Sequence, residues 1–149
     1  MISPEIYTDL SSNASGRSTV PPEVIPTTQI PDMVLLWRDI KKITLIELTV
    51  PFEMNIESST LKKENKYAGL VSDLKIAGYD ASLVHIAIGS RGLITNQNSL
   101  QLKLSHTHSV KRKKITYLKE KLTKMAVSAS FSIFHHRCDP AWVSKELLA

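Results

Sequence analysis

Cysteine is almost absent: the 149-residue chain has one, Cys138. A single thiol excludes an internal disulfide and any cysteine-rich zinc site, and it fits a reducing, intracellular compartment. Long apolar runs are missing as well, with nothing near the roughly 18 consecutive apolar residues of a membrane span. The first residues lack a charged start followed by an apolar core, so no secretory signal is expected. Aromatic residues make up only 6%, and the 14 acids are outnumbered by 19 lysines and arginines. The resulting charge of +5 and pI near 9.4 favour an anionic partner such as nucleic acid. What remains is ordinary for a globular protein, with 42% hydrophobic and 22% charged residues, enough for one compact domain with a modest core.

Residues 1–30 are rich in Ser, Thr and Pro, a composition that buries little. Residues 1–19 are therefore expected to form a flexible lead-in to a domain spanning 20–149. Met33 to Trp37 and Ile43 to Val50 are apolar, β-branched runs separated by the polar "RDIKK", which predicts a hairpin. The second run is apolar on both faces, as in a central strand covered on both sides, and Pro51 ends it. Ser58 and Ser59 are candidate caps for a helix reaching about Ile76, with Gly78 as its stop. "SLVHIAI", residues 82–88, reads as a third strand, and "GSRGLIT" as a glycine-rich turn with room for a short fourth. Residues 98–104 read as helical. A second long helix is expected from about Val110, with Ile115, Leu118, Leu122, Met125 and Ala129 as its apolar stripe. This order predicts a small α/β domain with a mixed central sheet flanked by helices.

Two acids stand where acids are costly. Side chains alternate along a strand, so Ile43, Leu45, Glu47 and Thr49 share one face. Glu47 thus points with apolar neighbours, and the hairpin brings Asp32 near it. A buried carboxylate must be paired, protonated or metal-bound. On the following helix, Tyr67, Leu70, Val71 and Leu74 form one face at 100° per residue, and Lys63 projects from that same face. Lys62 and Lys66 project elsewhere, as solvated lysines do. The simplest account is a partly buried Lys63–Glu47 ion pair with the lysine stem packed on the sheet. The sharper account is chemical, because two carboxylates and a lysine are what metal-dependent phosphodiester cleavage requires. Carboxylates suit Mg²⁺, and a lysine can orient water or offset charge on the phosphoryl oxygens.

Pro31–Asp32, fourteen intervening residues, then Glu47-Leu48-Thr49 resembles the PD-(D/E)XK nuclease motif. Thr49 occupies the place of the motif lysine, and "KENKYAGL" supplies a lysine displaced onto the helix, Lys63, with Tyr67 four residues later. This variant is similar to the restriction-endonuclease-like domain of non-LTR retrotransposons and to retroelement-derived proteins. The likeness extends through "LIELTVPFE", "GSRGLI" and "DPAW", from about Val20 to Trp142. It implies a restriction-endonuclease-like fold and cleavage of DNA with Mg²⁺ or Mn²⁺. Asp32 and Glu47 would be metal ligands, Lys63 the catalytic lysine and Tyr67 its support, while Arg91 would contact a phosphate. The chain departs from the pattern at Ala87, where related sequences often carry an acid, and at Ile30, where they often carry a base. The alternative implied is an inactive retroelement remnant that binds DNA or protein.

Lys111, Arg112, Lys113 and Lys114 open a basic helix that also carries Lys119, Lys121 and Lys124. They are candidate DNA-backbone contacts, against the commoner role of a solvated face. "KRKK" also reads as a short nuclear localisation signal. Arg91 is balanced between a phosphate contact and a structural role. His106 with His108, and His135 and His136 near Cys138, lack the partners of a zinc site and read as surface residues. Trp142 reads as an apolar anchor.

Overall fold

The computed structural model describes residues 3–9, 19–94, 112–137 and 139. The chain divides into two compact units, Met1–Thr49 with Glu57–Ala87, and Val50–Ile56 with Ile88–Ala149.

The first unit is a four-stranded mixed sheet. Its strands are β1 (Glu5–Thr8), β2 (Met33–Trp37), β3 (Lys42–Thr49) and β4 (Asp80–Ala87), in that spatial order. β1 and β3 both run antiparallel to β2, and β4 runs parallel to β3. A parallel neighbour needs a crossover, which α1 (Ile56–Ile76) provides. The expected hairpin is present, with Met33 opposite Ile46 and Trp37 opposite Lys42. Its turn closes through Lys41, whose φ of 47° is left-handed and whose N–H donates to the Arg38 carbonyl at 3.1 Å.

β3 is central, as its composition predicts, and Ile43, Thr44 and Leu45 are buried in succession. The double cover fades along the strand: Ile46 is half-buried and Leu48 exposed. The core holds Val20, Val34, Leu36, Leu45, Tyr67 and Leu74, among others. Each large aliphatic side chain removed from water there stabilises the unit by about 1.5–3 kcal/mol.

α1 begins two residues before the expected serine caps, because the 3₁₀ turn Glu53–Asn55 feeds straight into it. It ends as predicted. Gly78 takes φ 86°, its N–H reaches the Lys75 carbonyl at 3.0 Å, and the Tyr79 N–H reaches Leu74 at 3.0 Å. This is a Schellman closure, which requires the left-handed conformation that glycine adopts freely.

The expectation of a loose start needs correction. Glu5–Thr8 pairs along β2, and Val20 and Val24 enter the core. Arg38 fastens β1 by donating to both Glu5 carboxylate oxygens at 2.9 and 3.0 Å, to Tyr7 at 3.1 Å and to Glu23 at 2.8 Å. Averaged over thirty residues, Ser and Pro hide isolated Ile, Tyr and Val side chains that find neighbours only in the fold.

The second unit contains the Pro51–Asn55 segment, the turn after β4 and α2 (Arg112–His136). In the turn, the Gly89 N–H donates to Leu93 and the Gly92 N–H to Gly89, both at 2.7 Å. Gly92 has φ 90°, and a Cβ there would sit 2.8 Å from Thr123 Cγ2, so only glycine fits. No strand follows the turn as far as Ile94, and residues 98–104 lie outside the described residues.

The stripe expected on α2 is displaced by roughly 70° around the axis. Ile115 and Ala126 are buried and Leu122 and Thr123 half-buried, whereas Met125 and Ala129 are exposed. Thr123 and Val127 are the side chains that face Gly92 of the turn, and neither belongs to the expected stripe. No described helix is long and apolar enough to cross a membrane.

Candidate metal and phosphodiester site

Asp32 stands one residue before β2, and the hairpin register carries on to set it opposite Glu47. The two strands are cross-linked here through backbone amides of Asp32 and Leu48. The Asp32 N–H donates to Glu47 Oε2 at 3.3 Å, and the Leu48 N–H donates to Asp32 Oδ2 at 2.7 Å. Each carboxylate is thus fixed by an amide from the opposite strand, and the pair sits at one end of the hairpin.

Glu47 is 2% exposed, as its place on the Ile43–Leu45 face predicts. Its charge is met by Lys63, whose Nζ donates to Glu47 Oε1 while the lysine side chain stays partly exposed. Lys63 reaches Glu47 because it lies on the α1 stripe that packs on the sheet, one turn before Tyr67.

Tyr67 is fully buried and its O–H donates to the Ile30 carbonyl at 2.9 Å. Burial first, then the neighbouring Glu47 carboxylate and more weakly that of Asp32, push its phenol well above the usual tyrosine range. Tyr67 is therefore a neutral donor that ties the chain leading into Asp32 to α1. Gln29 adds a second tie, donating from Nε2 to the Lys66 carbonyl at 2.9 Å. Lys66 is exposed, as expected of a solvated lysine, and its Nζ folds back to 3.1 Å from the Tyr67 hydroxyl, over the ring at 4.7 Å.

His85 is not among the candidates the sequence offers, and Thr49 has no role of its own there. His85 is the β4 partner of Glu47 and lies on the same sheet face, buried, with Nε2 3.0 Å from Thr49 Oγ1. The period-two alternation of "SLVHIAI" was the available signal, since it puts His85 in phase with Ala81 and Leu83 of the core face.

Asp32, Glu47, Lys63 and Tyr67 are therefore gathered in one place in the first unit. Arg91 lies in the second unit, where its N–H donates to Glu53 Oε1 at 2.6 Å and its Nε to Glu53 Oε2 at 3.0 Å. Its guanidinium also lies 5.4 Å from the centre of the Phe52 ring. Burial opposes charge on Glu53, but the hydrogen bonds from Arg91 and from its own backbone amide together outweigh it and hold the carboxyl below the ordinary carboxylate range. Lys113 and Lys114 are exposed on the first turn of α2, which starts at Arg112, and Lys111 lies outside the described residues. His106, His108, Cys138 and Trp142 also lie outside them.

The donor chemistry at the hairpin end suits a hard divalent cation. Asp32 and Glu47 offer carboxylate oxygens only, and Mg²⁺ is commonly held by one or two carboxylates with water and phosphate oxygens completing its octahedron. Among the described residues, no group of three or more His, Cys, Asp and Glu side chains is placed to hold a metal. Among the described residues, Asp32 and Glu47 are the carboxylates this site brings together. Set against known proteins, the chain matches no family model and no curated protein.

Proposed function

We propose that the first unit is a restriction-endonuclease-like domain that cleaves DNA phosphodiester bonds with Mg²⁺ or Mn²⁺. The observation that carries the reading is the closure of Lys63, from the core-facing stripe of α1, onto a buried Glu47 already coupled to Asp32 through the hairpin amides. Two carboxylates and a lysine brought together beside an apolar core are the donor set that metal-dependent phosphodiester cleavage uses. Asp32 and Glu47 would hold the cation, which when bound polarises the phosphate and activates water. Lys63 presents a fixed ammonium to offset negative charge developing on the phosphoryl oxygens. Tyr67 holds the chain at Ile30, and with it the position of Asp32.

A second reading has an observation of its own. Both Glu47 oxygens already accept hydrogen bonds, one from Lys63 and one from Asp32 N–H, as in an ion pair that serves only the fold. On that reading the unit is an inactive binding module. A plasmid-nicking assay with Mg²⁺ or Mn²⁺ separates the two, run on the wild type, Asp32→Asn and Lys63→Met. The expected result is metal-dependent nicking that both substitutions reduce by at least about a hundredfold, the scale of losing a group that acts electrostatically in the transition state. A folded wild type that leaves supercoiled plasmid intact at low salt with either metal would overturn the nuclease reading.

A further inference from the structure

On the face of α2 opposite buried Ile115 and Ala126, exposed residues follow one another in steps of three and four: Lys113, Tyr117, Lys121, Lys124, Phe131 and His135. At 100° per residue they fall within about 80° of one another, a single straight stripe completed by Ser128. Tyr117 is 66% exposed and Phe131 65%. Rings of that size on a helix face normally seek cover. Phe131 and His135 confirm the alignment, with ring centroids 5.8 Å apart. Lys114 flanks Tyr117 from the preceding turn. None of Lys113, Lys114, Lys121 and Lys124 forms a salt bridge among the described residues, and Glu120 is the only acid in α2.

Cations interleaved with flat rings along one line match a particular ligand. Duplex DNA offers phosphates but keeps its base faces stacked inward. An acidic protein offers carboxylates but no regular run of rings. An extended single strand offers both, a phosphate and an exposed base in each nucleotide, and base–aromatic stacking tolerates any sequence. From Lys113 to His135 the stripe is about 33 Å long at 1.5 Å rise per residue, enough for several consecutive nucleotides.

We propose that the exposed stripe of α2 is a binding track for single-stranded nucleic acid. Tyr117 and Phe131 stack on bases, and Lys113, Lys114, Lys121 and Lys124 hold the intervening phosphates. The track lies wholly in the second unit and does not require that the first unit cleave anything.

The test is fluorescence anisotropy with labelled oligothymidylate of about 15 nucleotides and a duplex of equal length. It is run in EDTA at low salt on the full chain carrying Asp32→Asn, so that cleavage plays no part. Single strand should bind more tightly than duplex. Tyr117→Ala and Phe131→Ala should each weaken it by roughly five- to a hundredfold, the range for losing one stacked base. Tyr117→Phe should bind as the parent does. Lys121→Ala with Lys124→Ala should weaken binding and flatten its salt dependence. All substituted positions are on the surface, and thermal melts matching the parent confirm that each variant folds. Equal affinity for duplex and single strand, or no change on removing both rings, overturns the proposal. So does capture by phosphatidylserine-containing vesicles that depends on Phe131 while oligothymidylate does not bind, since the stripe is then a membrane-surface helix.

Discussion

At the scale of single residues, Lys63 and Glu47 make the sharpest prediction. A buried carboxylate that loses its counterion keeps its desolvation cost without the compensating attraction. Lys63→Met should therefore lower stability by about 3 kcal/mol or more in urea unfolding, although the methionine replaces most of the lysine stem. Combining it with Glu47→Gln removes the stranded charge, and the double variant should regain most of that loss. A lysine that merely rested at the surface would give less than about 1 kcal/mol for the single substitution and no recovery in the double. These residues were legible in the sequence because each breaks its local pattern: an acid in phase with Ile43 and Leu45, and a lysine in phase with Tyr67 and Leu70. His85 was not, because an imidazole among apolar residues is half expected and its meaning comes from a neighbouring strand. Only the parallel pairing of β4 with β3, which lies in no local pattern, sets it beside Glu47 and Thr49.

Elements were read less evenly. β2, the body of α1 and its glycine stop are visible in the sequence, since alternation, a helical stripe and a left-handed glycine are local signals. β1 escaped because its four residues sit in a Ser- and Pro-rich region and are held by Arg38, more than thirty residues away. The α2 stripe was misplaced because hydrophobicity favours Leu118 and Met125 over the Ala126 that is in fact buried. The Glu53–Arg91 clamp joins the segment before α1 to the turn after β4, and it should show in the response to acid. Because the Glu53 carboxyl is held below its ordinary value of 4.5, the folded state binds its proton later than the unfolded chain does. The clamp's contribution is then fully present above the unfolded value and is lost as pH falls through the lower, folded one. In Glu53→Gln that contribution is missing at neutral pH, and melting temperature should fall less steeply below about pH 4.5 than in the parent. Parallel acid limbs for the two proteins would mean that the clamp adds nothing to stability.

Over the whole molecule, charge is unevenly placed. α2 carries one acid against a series of lysines, while Lys63 in the first unit is matched by a carboxylate. A net charge of +5 is modest, so the nucleic-acid binding proposed for α2 rests on this local concentration rather than on the overall charge. If about four phosphates are neutralised, the logarithm of the single-strand binding constant should fall against the logarithm of salt with a slope of about −3. A salt titration by anisotropy measures it, and a flat line would remove nucleic acid as the partner of this surface. The amide cross-link between Asp32 and Glu47 has a further consequence, for how such a domain ages. A backbone N–H asks only for an oxygen and does not require that the oxygen be charged. An asparagine in place of Asp32 could accept the Leu48 amide as well as the acid does, and the hairpin would keep its register. If the first unit cleaves as proposed, the scaffold is therefore blind to the loss of the charge that the cleavage needs. Across a lineage, activity can lapse by a single substitution while the fold persists unchanged, so descendants that cut and descendants that only bind would share the same backbone.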